Sequence, residues 1–416
     1  MLKMRQGDCF TRRGAMLSIA PACVDSNGLF HGLHVGRMTK DRNFGGEDDP
    51  HGKDLFYIMP EHDGEGFEAF CDPGEMKLMR NGRAIAEVCF PRPDLIRIRS
   101  NKLQLRVTGA LEEHETMIDR LDGTWQLGLF DAMGEMLFYS LRGRGDLISK
   151  WNWIHAGTEK IELLFAMGQD EQIDFCIRYG NANVEPAEDL PDFENCVKDV
   201  REDFTAWEKS FGLPAEGFEE RHRAAVWHTW NCLVNGQGRL HAEIPMKTIR
   251  TSADLPGAAV CVAAMNADPT TAENMIQNIL AYQSASGRMP SGLDDINIDF
   301  SCPTLATLAA ALKLCARRIM DPGLKARVEK IPVLSYEEDG ELCRKDPSDE
   351  VSLMLIQDAS LIMDDKKRLT VEGLMRAYSV LPLQETARFS QSAAFLLAES
   401  LYRNQKQALF EKAGEK

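Results

Sequence analysis

The sequence predicts a multidomain β + α protein, an N-terminal antiparallel β-sandwich followed by a set of antiparallel helices. Two observations carry that prediction. Up to about residue 185, short apolar alternations are broken by Gly, Asp, Asn and Pro, the pattern of antiparallel strands joined by tight turns. From about Asp192 apolar residues instead recur every three to four positions, the period of amphipathic helices. Length agrees, because 416 residues exceed one core at roughly 150 residues per domain. The predicted limits are 1–185 for the sandwich, 186–215 for a linking helix and 216–416 for the helical domain.

In chain order, the clearest hairpin joins Ala84–Phe90 to Leu95–Arg99 through Pro91–Asp94. In its second run Ile96 and Ile98 alternate with Arg97 and Arg99, which predicts one buried face and one wet face. A second hairpin fits Trp125–Phe130 and Met136–Tyr139 across a turn from Asp131 to Gly134. The runs Ile161–Phe165 and Ile173–Ile177 read as a closing pair. About ten strands then need two facing sheets to hide one side of each.

Phe193, Val197, Val200, Phe204 and Trp207 mark the linking helix, which Gly212-Leu213-Pro214 ends. Helices are expected over 216–235, 255–266, 270–284, 303–319, 348–363, 370–378 and 385–405, with no further strands. Thr270 and Thr271 before Glu273 read as a capping arrangement, and Pro303 suits a first helical turn.

Hydrophobic residues form 44% of the chain and charged residues 27%, which excludes a disordered or fibrous protein. Acidic residues outnumber basic ones by 64 to 48, and a net charge of -16 opposes binding to polyanions. Nucleic acid and anionic membranes are therefore not expected partners, whereas a neutral sugar is indifferent to this field. The 11 cysteines are scattered and never form a CxxC pair, so they read as free thiols in a reducing compartment. The N-terminus lacks the apolar stretch of roughly 7 to 15 residues of a signal peptide, and no window nears about 18 apolar residues. A cytoplasmic location is the expectation. No GK[ST] loop, GxGxxG or GxSxG occurs, which leaves nucleotide-dependent and serine-hydrolase chemistry without a motif.

The segment Asn266-Ala267-Asp268-Pro269-Thr270-Thr271-Ala272, the helix that follows, and Tyr282-Gln283-Ser284-Ala285-Ser286-Gly287-Arg288-Met289-Pro290 together resemble a signature of (α/α)6 toroid glycosidases. The likeness is in particular to bacterial relatives of glycoside hydrolase family 63, of the glucosidase and mannosylglycerate-hydrolase type. Phe218–Arg223 with Trp227 and Trp230 is similar to the first toroid helix. Asp294-Asp295-Ile296-Asn297 is similar to the substrate-side loop, and Glu87–Asp94 with Ile96–Arg99 to the N-terminal domain. The resemblance spans most of 80–320 and implies an incomplete α/α toroid behind the sandwich. The family's Trp-x-Trp-Asp segment corresponds to Thr251–Pro256, where Asp254 is kept and both tryptophans are absent. Neither the general acid nor the general base has a matching residue.

The resemblance implies an inverting glycoside hydrolase acting on α-linked glucosyl or mannosyl compounds, with water as nucleophile and no metal or cofactor. Such chemistry needs one carboxylic acid to protonate the leaving oxygen and one carboxylate to activate water, about 6.5 to 9.5 Å apart. The catalytic candidates are Asp254, Asp294 and Asp295; the substrate-binding candidates are Trp227, Trp230, Arg250, Gln283 and Asp299. Each has a plainer reading: Asp254 as a helix cap, Asp294 and Asp295 as solvated loop charges, Trp227 and Trp230 as core. His222 and His228 stand six apart, so one helix does not aim both at one metal, and His31 with His34 lacks a metal-ligand spacing. The alternative function is a non-catalytic carbohydrate-binding or assembly protein on a degenerate glycosidase scaffold. Seven or eight helices fall short of the twelve that the resemblance implies, and an open helical edge predicts a homodimer.

Overall fold

The computed structural model describes residues 1–5, 8–15, 17–37, 56–61, 65–101, 104–111, 114–120, 124–130, 136–144, 146–155, 158–166, 172–180, 190–235, 243–245, 255–265, 269–289, 292–293, 298–299, 306–316, 319–331, 375–376 and 389–414. The chain divides into two compact units, one drawn from Met1–Phe204 and Thr248–Arg250 and the other from Thr205–Lys247 and Thr251–Lys416.

In the first unit every strand pairing is antiparallel, and two sheets result. The larger runs β1 (Leu2–Lys3), β5 (Glu68–Cys71), β6 (Met76–Arg80), β7 (Arg83–Arg92), β8 (Leu95–Asn101), β15 (Gln172–Gly180), β12 (Met136–Arg144), β11 (Thr124–Phe130) and β10 (Thr116–Asp119). The smaller runs β13 (Asp146–His155), β14 (Thr158–Ala166), β9 (Gln104–Leu111), β4 (Phe56–Glu61), β3 (Phe30–Arg37) and β2 (Leu17–Val24). Phe56 of β4 and Tyr139 of β12 meet edge to face, ring centroids 6.2 Å apart, so the two sheets share one core. Ile96, Ile98, Val107, Leu141 and Phe175 are buried with them, and each such side chain contributes about 1.5–3 kcal/mol through burial.

Both hairpins expected from the sequence form. Val88 pairs with Ile98 across β7 and β8, and Phe130 with Met136 across β11 and β12. The expected closing pair does not: β14 pairs with β13 and β9, whereas β15 lies between β8 and β12 in the other sheet. Alternation specifies which face of a strand is apolar and leaves its partner open, so two strands adjacent in sequence settled in different sheets.

The wet face expected on β8 is also corrected. Arg97 and Arg99 lie under α1 (Phe193–Ser210), whose Phe193 ring sits 4.3 Å from the Arg99 guanidinium and 5.7 Å from that of Arg97. Arg97 grips Asp174 through two hydrogen bonds of 2.9 and 2.6 Å and donates at 2.6 Å to the Pro191 carbonyl. Arg99 donates twice to Glu87, at 3.0 and 2.6 Å, and once to Glu194 at 2.6 Å. Both guanidinium groups under α1 thus meet carboxylates, the condition under which burial of the charge is tolerated. Farther along α1, Arg201 reaches Asp72 at 2.8 Å and Glu75 at 2.7 Å. Between those acids Gly74 comes so near the helix that a Cβ would stand 2.9 Å from the Val197 carbonyl.

The second unit is helical: α2 (Glu219–Cys232), α3 (Leu255–Ala264), α4 (Pro269–Leu280), α5 (Ala306–Ala316), α6 (Pro322–Glu329) and α7 (Phe389–Gly414). The run from Ala258 to Met265 in and after α3 is buried at every position, as expected of a helix apolar all round. Its Ala and Val side chains are small enough to let α5 and α7 pack on it. The unit also holds two short antiparallel ribbons that helical periodicity does not announce, β16 (Leu233–Asn235) with β17 (Glu243–Pro245) and β18 (Gly292–Leu293) with β19 (Ile298–Asp299). The helix α6 was not expected either. Its start is chemically explicit: Asp321 accepts from the Leu324 N–H at 2.9 Å and Pro322 opens the first turn.

Glu273 does not fold back as a cap; its carboxylate accepts from the Met320 N–H at 2.5 Å and so ties α4 to the start of α6. The helices expected over 348–363 and 370–378 lie outside the described residues, Met375 and Arg376 apart. Among the described residues no helix is long and apolar enough to cross a membrane.

Candidate functional site

The framework of the candidate site is α7, which reads the turn after α1 with both signs of charge. The Glu399 carboxylate accepts from the Ala215 N–H at 2.7 Å, while Arg403, one turn later, donates to the carbonyls of Phe211 (2.6 Å) and Leu213. Cationic side chains are well placed on carbonyls freed at a helix end, and an anionic one on a free amide. Burial draws the Arg403 guanidinium below its usual range, and the nearby Glu399 charge opposes that. Gly212, at φ 79, turns the chain here in the left-handed region.

The same helix face holds α2. His222 Nδ1 donates to Glu399 at 2.6 Å, and both side chains are buried. Two turns before Glu399, Ser392 is hydrogen-bonded to His228 Nδ1 at 3.2 Å. The pairs run in opposite directions along the two helices, so α2 and α7 are antiparallel neighbours. The histidines therefore serve two separate partners on α7. Among the described residues no group of three metal-ligating side chains gathers.

With α2 fixed, its aromatic residues take defined places. Trp230 is fully buried. Trp227 is buried too, and its ring stacks on that of His228 at 6.2 Å with 20° between the planes. Asn231 follows Trp227 by four residues, so helical geometry puts the two on one stripe. Among the described residues, the Trp227 indole N–H and the Asn231 side-chain carbonyl are both buried without a hydrogen-bond partner.

Gln283 sits in the turn after α4. Its amide donates to the carbonyls of Gly287 at 3.2 Å and Arg327 at 3.1 Å, and its oxygen accepts from Arg327 Nε at 3.4 Å. The turn closes on itself as well, with Ser284 N–H donating to Arg288 O at 2.9 Å and Arg288 N–H to Ser284 Oγ at 2.9 Å. The Gln and Gly of the 282–290 segment thus join the end of α4 to α6.

Of the other sequence candidates, Asp254, Asp294, Asp295 and Arg250 lie outside the described residues, and Asp299 falls in β19. Three contributors escaped sequence reasoning: Glu399, Ser392 and Asn231. A signal for the first was present, since one carboxylate in the apolar run Ala393–Leu401 is out of place unless it is paired.

Burial pushes the Cys89 thiol well above the ordinary range. Cys71, Cys196, Cys232, Cys261 and Cys315 are also buried and in no disulfide, and they take the places of small core side chains.

No family model and no curated protein matches the chain. Among solved structures it is similar to a family GH92 inverting mannosidase of Bacteroides thetaiotaomicron, at 11% identity and a TM-score of 0.45, over 80% of this chain and 62% of that one. It is also similar to a family GH92 alpha-mannosidase from the same organism, at 11% identity and a TM-score of 0.44, over 77% of this chain and 54% of that one. The chain therefore spans between 54% and 62% of the length of these two structures.

Proposed function

We propose that the chain is a glycoside hydrolase-like protein acting on α-linked glucosyl or mannosyl compounds, with the sugar bound in the helical unit. The observation that carries this reading is the segment from Asn266 to Pro290, which resembles the toroid glycosidase signature. Its proline opens α4, and its Gln283 and Gly287 meet in the turn that follows. Inverting hydrolysis by two carboxylates is the reaction that the resemblance implies, with Asp254 and Asp294 or Asp295 as the acid and base candidates. Arg250 and Asp299 are assigned to substrate by the same reading, and Trp227 and Trp230 to the wall of the sugar site. An acidic chain with a net charge of -16 suits a neutral substrate better than an anionic one.

A hydrolysis screen over aryl and natural α-glucosides and α-mannosides tests the proposal, run beside thermal shifts with the same sugars. Turnover that disappears in a folded Asp254→Asn variant supports the mechanism. Shifts without turnover point instead to a carbohydrate-binding protein, and neither shift nor turnover across the panel removes the carbohydrate reading.

A further inference from the structure

The stripe of α2 that carries Trp227 and Asn231 has an unusual polar composition. A buried polar atom without a partner is costly, and native proteins leave few of them. Here two lie one helical turn apart, an indole N–H that only donates and an amide carbonyl that only accepts. With Arg221 they are the most exposed of the buried residues of this helix: Trp227 is 7% and Asn231 6% exposed, against 0% for Ala225, Val226 and Thr229.

We propose that Trp227 and Asn231 form a hydroxyl-reading subsite, in which the indole N–H donates to a ligand hydroxyl oxygen and the Asn231 carbonyl accepts a ligand hydroxyl proton. The ligand class follows from the pair. A phosphate or carboxylate, which only accepts, satisfies the indole and faces the amide oxygen with a second acceptor. An ammonium group, which only donates, leaves the indole N–H unpaired. A hydroxyl does both, so a neutral polyhydroxylated ligand satisfies both atoms. The subsite rests on the carbohydrate reading above and adds to it a place and a hydrogen-bond pattern.

Isothermal titration of the full chain with methyl α-D-mannopyranoside and methyl α-D-glucopyranoside tests the subsite, in wild type and in the Trp227→Phe and Asn231→Leu variants. Asn231→Leu removes the partnerless carbonyl at nearly constant shape, and Trp227→Phe removes the indole N–H together with part of the ring. The expected result is a melting temperature equal to or above wild type in Asn231→Leu, together with a dissociation constant at least tenfold weaker in both variants. That combination is one a structural role does not produce. The second readout is the Trp227 indole N–H resonance of 15N-labelled wild type, assigned from its loss in Trp227→Phe, which moves on sugar addition even if a variant folds poorly. Wild-type affinity in both folded variants, or a stationary resonance under saturating sugar, overturns the subsite and leaves the carbohydrate reading standing. If wild type binds neither glycoside, subsite and reading fall together.

Discussion

His222 Nδ1 and Glu399 Oε2 lie 2.6 Å apart with both side chains buried, and the other oxygen of the same carboxylate accepts from the Ala215 N–H at 2.7 Å. One carboxylate therefore satisfies a ring donor of α2 and a backbone donor of the turn before it. Replacing Glu399 by Ala strands both donors in a buried site, and a loss of about 3–5 kcal/mol is expected. Glu399→Gln keeps an amide oxygen for one donor and is expected to lose about 1–2 kcal/mol. Urea denaturation of the three proteins measures this, and a Glu399→Ala midpoint equal to wild type would refute the pairing as a source of stability.

Acid sensitivity in the first unit is expected to run through Glu87. Burial pushes its carboxyl upward, but hydrogen bonds from Arg99 and Lys77, with their charges, outweigh this and hold it below the ordinary value of 4.5. A depressed carboxylate contributes stability that is fully present above the unfolded value and is lost as pH falls through the folded one. Wild type should therefore lose stability as pH drops below about 4.5, and Glu87→Gln should be less stable at neutral pH with a shallower decline in acid. Denaturation midpoints between pH 7 and pH 3 decide it; parallel curves would exclude Glu87 as the titrating group.

Strand and helix positions were legible where a period persisted. The alternation around Ile96 and the recurrence from Phe193 to Trp207 each mapped onto the expected element. What the period does not encode is what covers a polar face. Arg97 and Arg99 looked wet because what covers their face is not written in the alternation: strand pairing sets Glu87 and Asp174 beside them, and the docking of α1 adds Glu194 and the Phe193 ring. The same limit hid the α2–α7 seam, since nothing local links His222 to a carboxylate 177 positions away. Trp227 and Trp230 were visible as a pair, whereas Asn231 became notable only once its carbonyl was seen buried without a partner.

Gln283 is a candidate for substrate binding by resemblance, yet its amide already bonds three groups in the turn and α6. Loss of these bonds in Gln283→Ala should lower stability by about 1–2 kcal/mol, because the carbonyls of Gly287 and Arg327 lose a donor. Calorimetric melting beside sugar titration separates the two roles. A fall in sugar affinity at unchanged melting temperature would assign Gln283 to the ligand and not to the turn.

Gly287 is the position where that turn has least latitude. Its φ of 88° lies in the left-handed region, where a side chain costs about 1–2 kcal/mol before any contact is counted. An added Cβ would also stand 2.6 Å from the Lys330 carbonyl oxygen, which belongs to the backbone that ends α6 and so does not rotate away. Either the turn or the end of α6 must shift, and a shift of the turn moves the Gly287 carbonyl that Gln283 holds at 3.2 Å. Gly287→Ala should accordingly lower stability by about 2–4 kcal/mol, strain and steric displacement together. Because both substitutions act on one joint, the double variant Gln283→Ala with Gly287→Ala should lose less than the sum of the single losses. Strict additivity in that cycle would mean that the turn and the α4–α6 staple are independent, contrary to the geometry of Gln283.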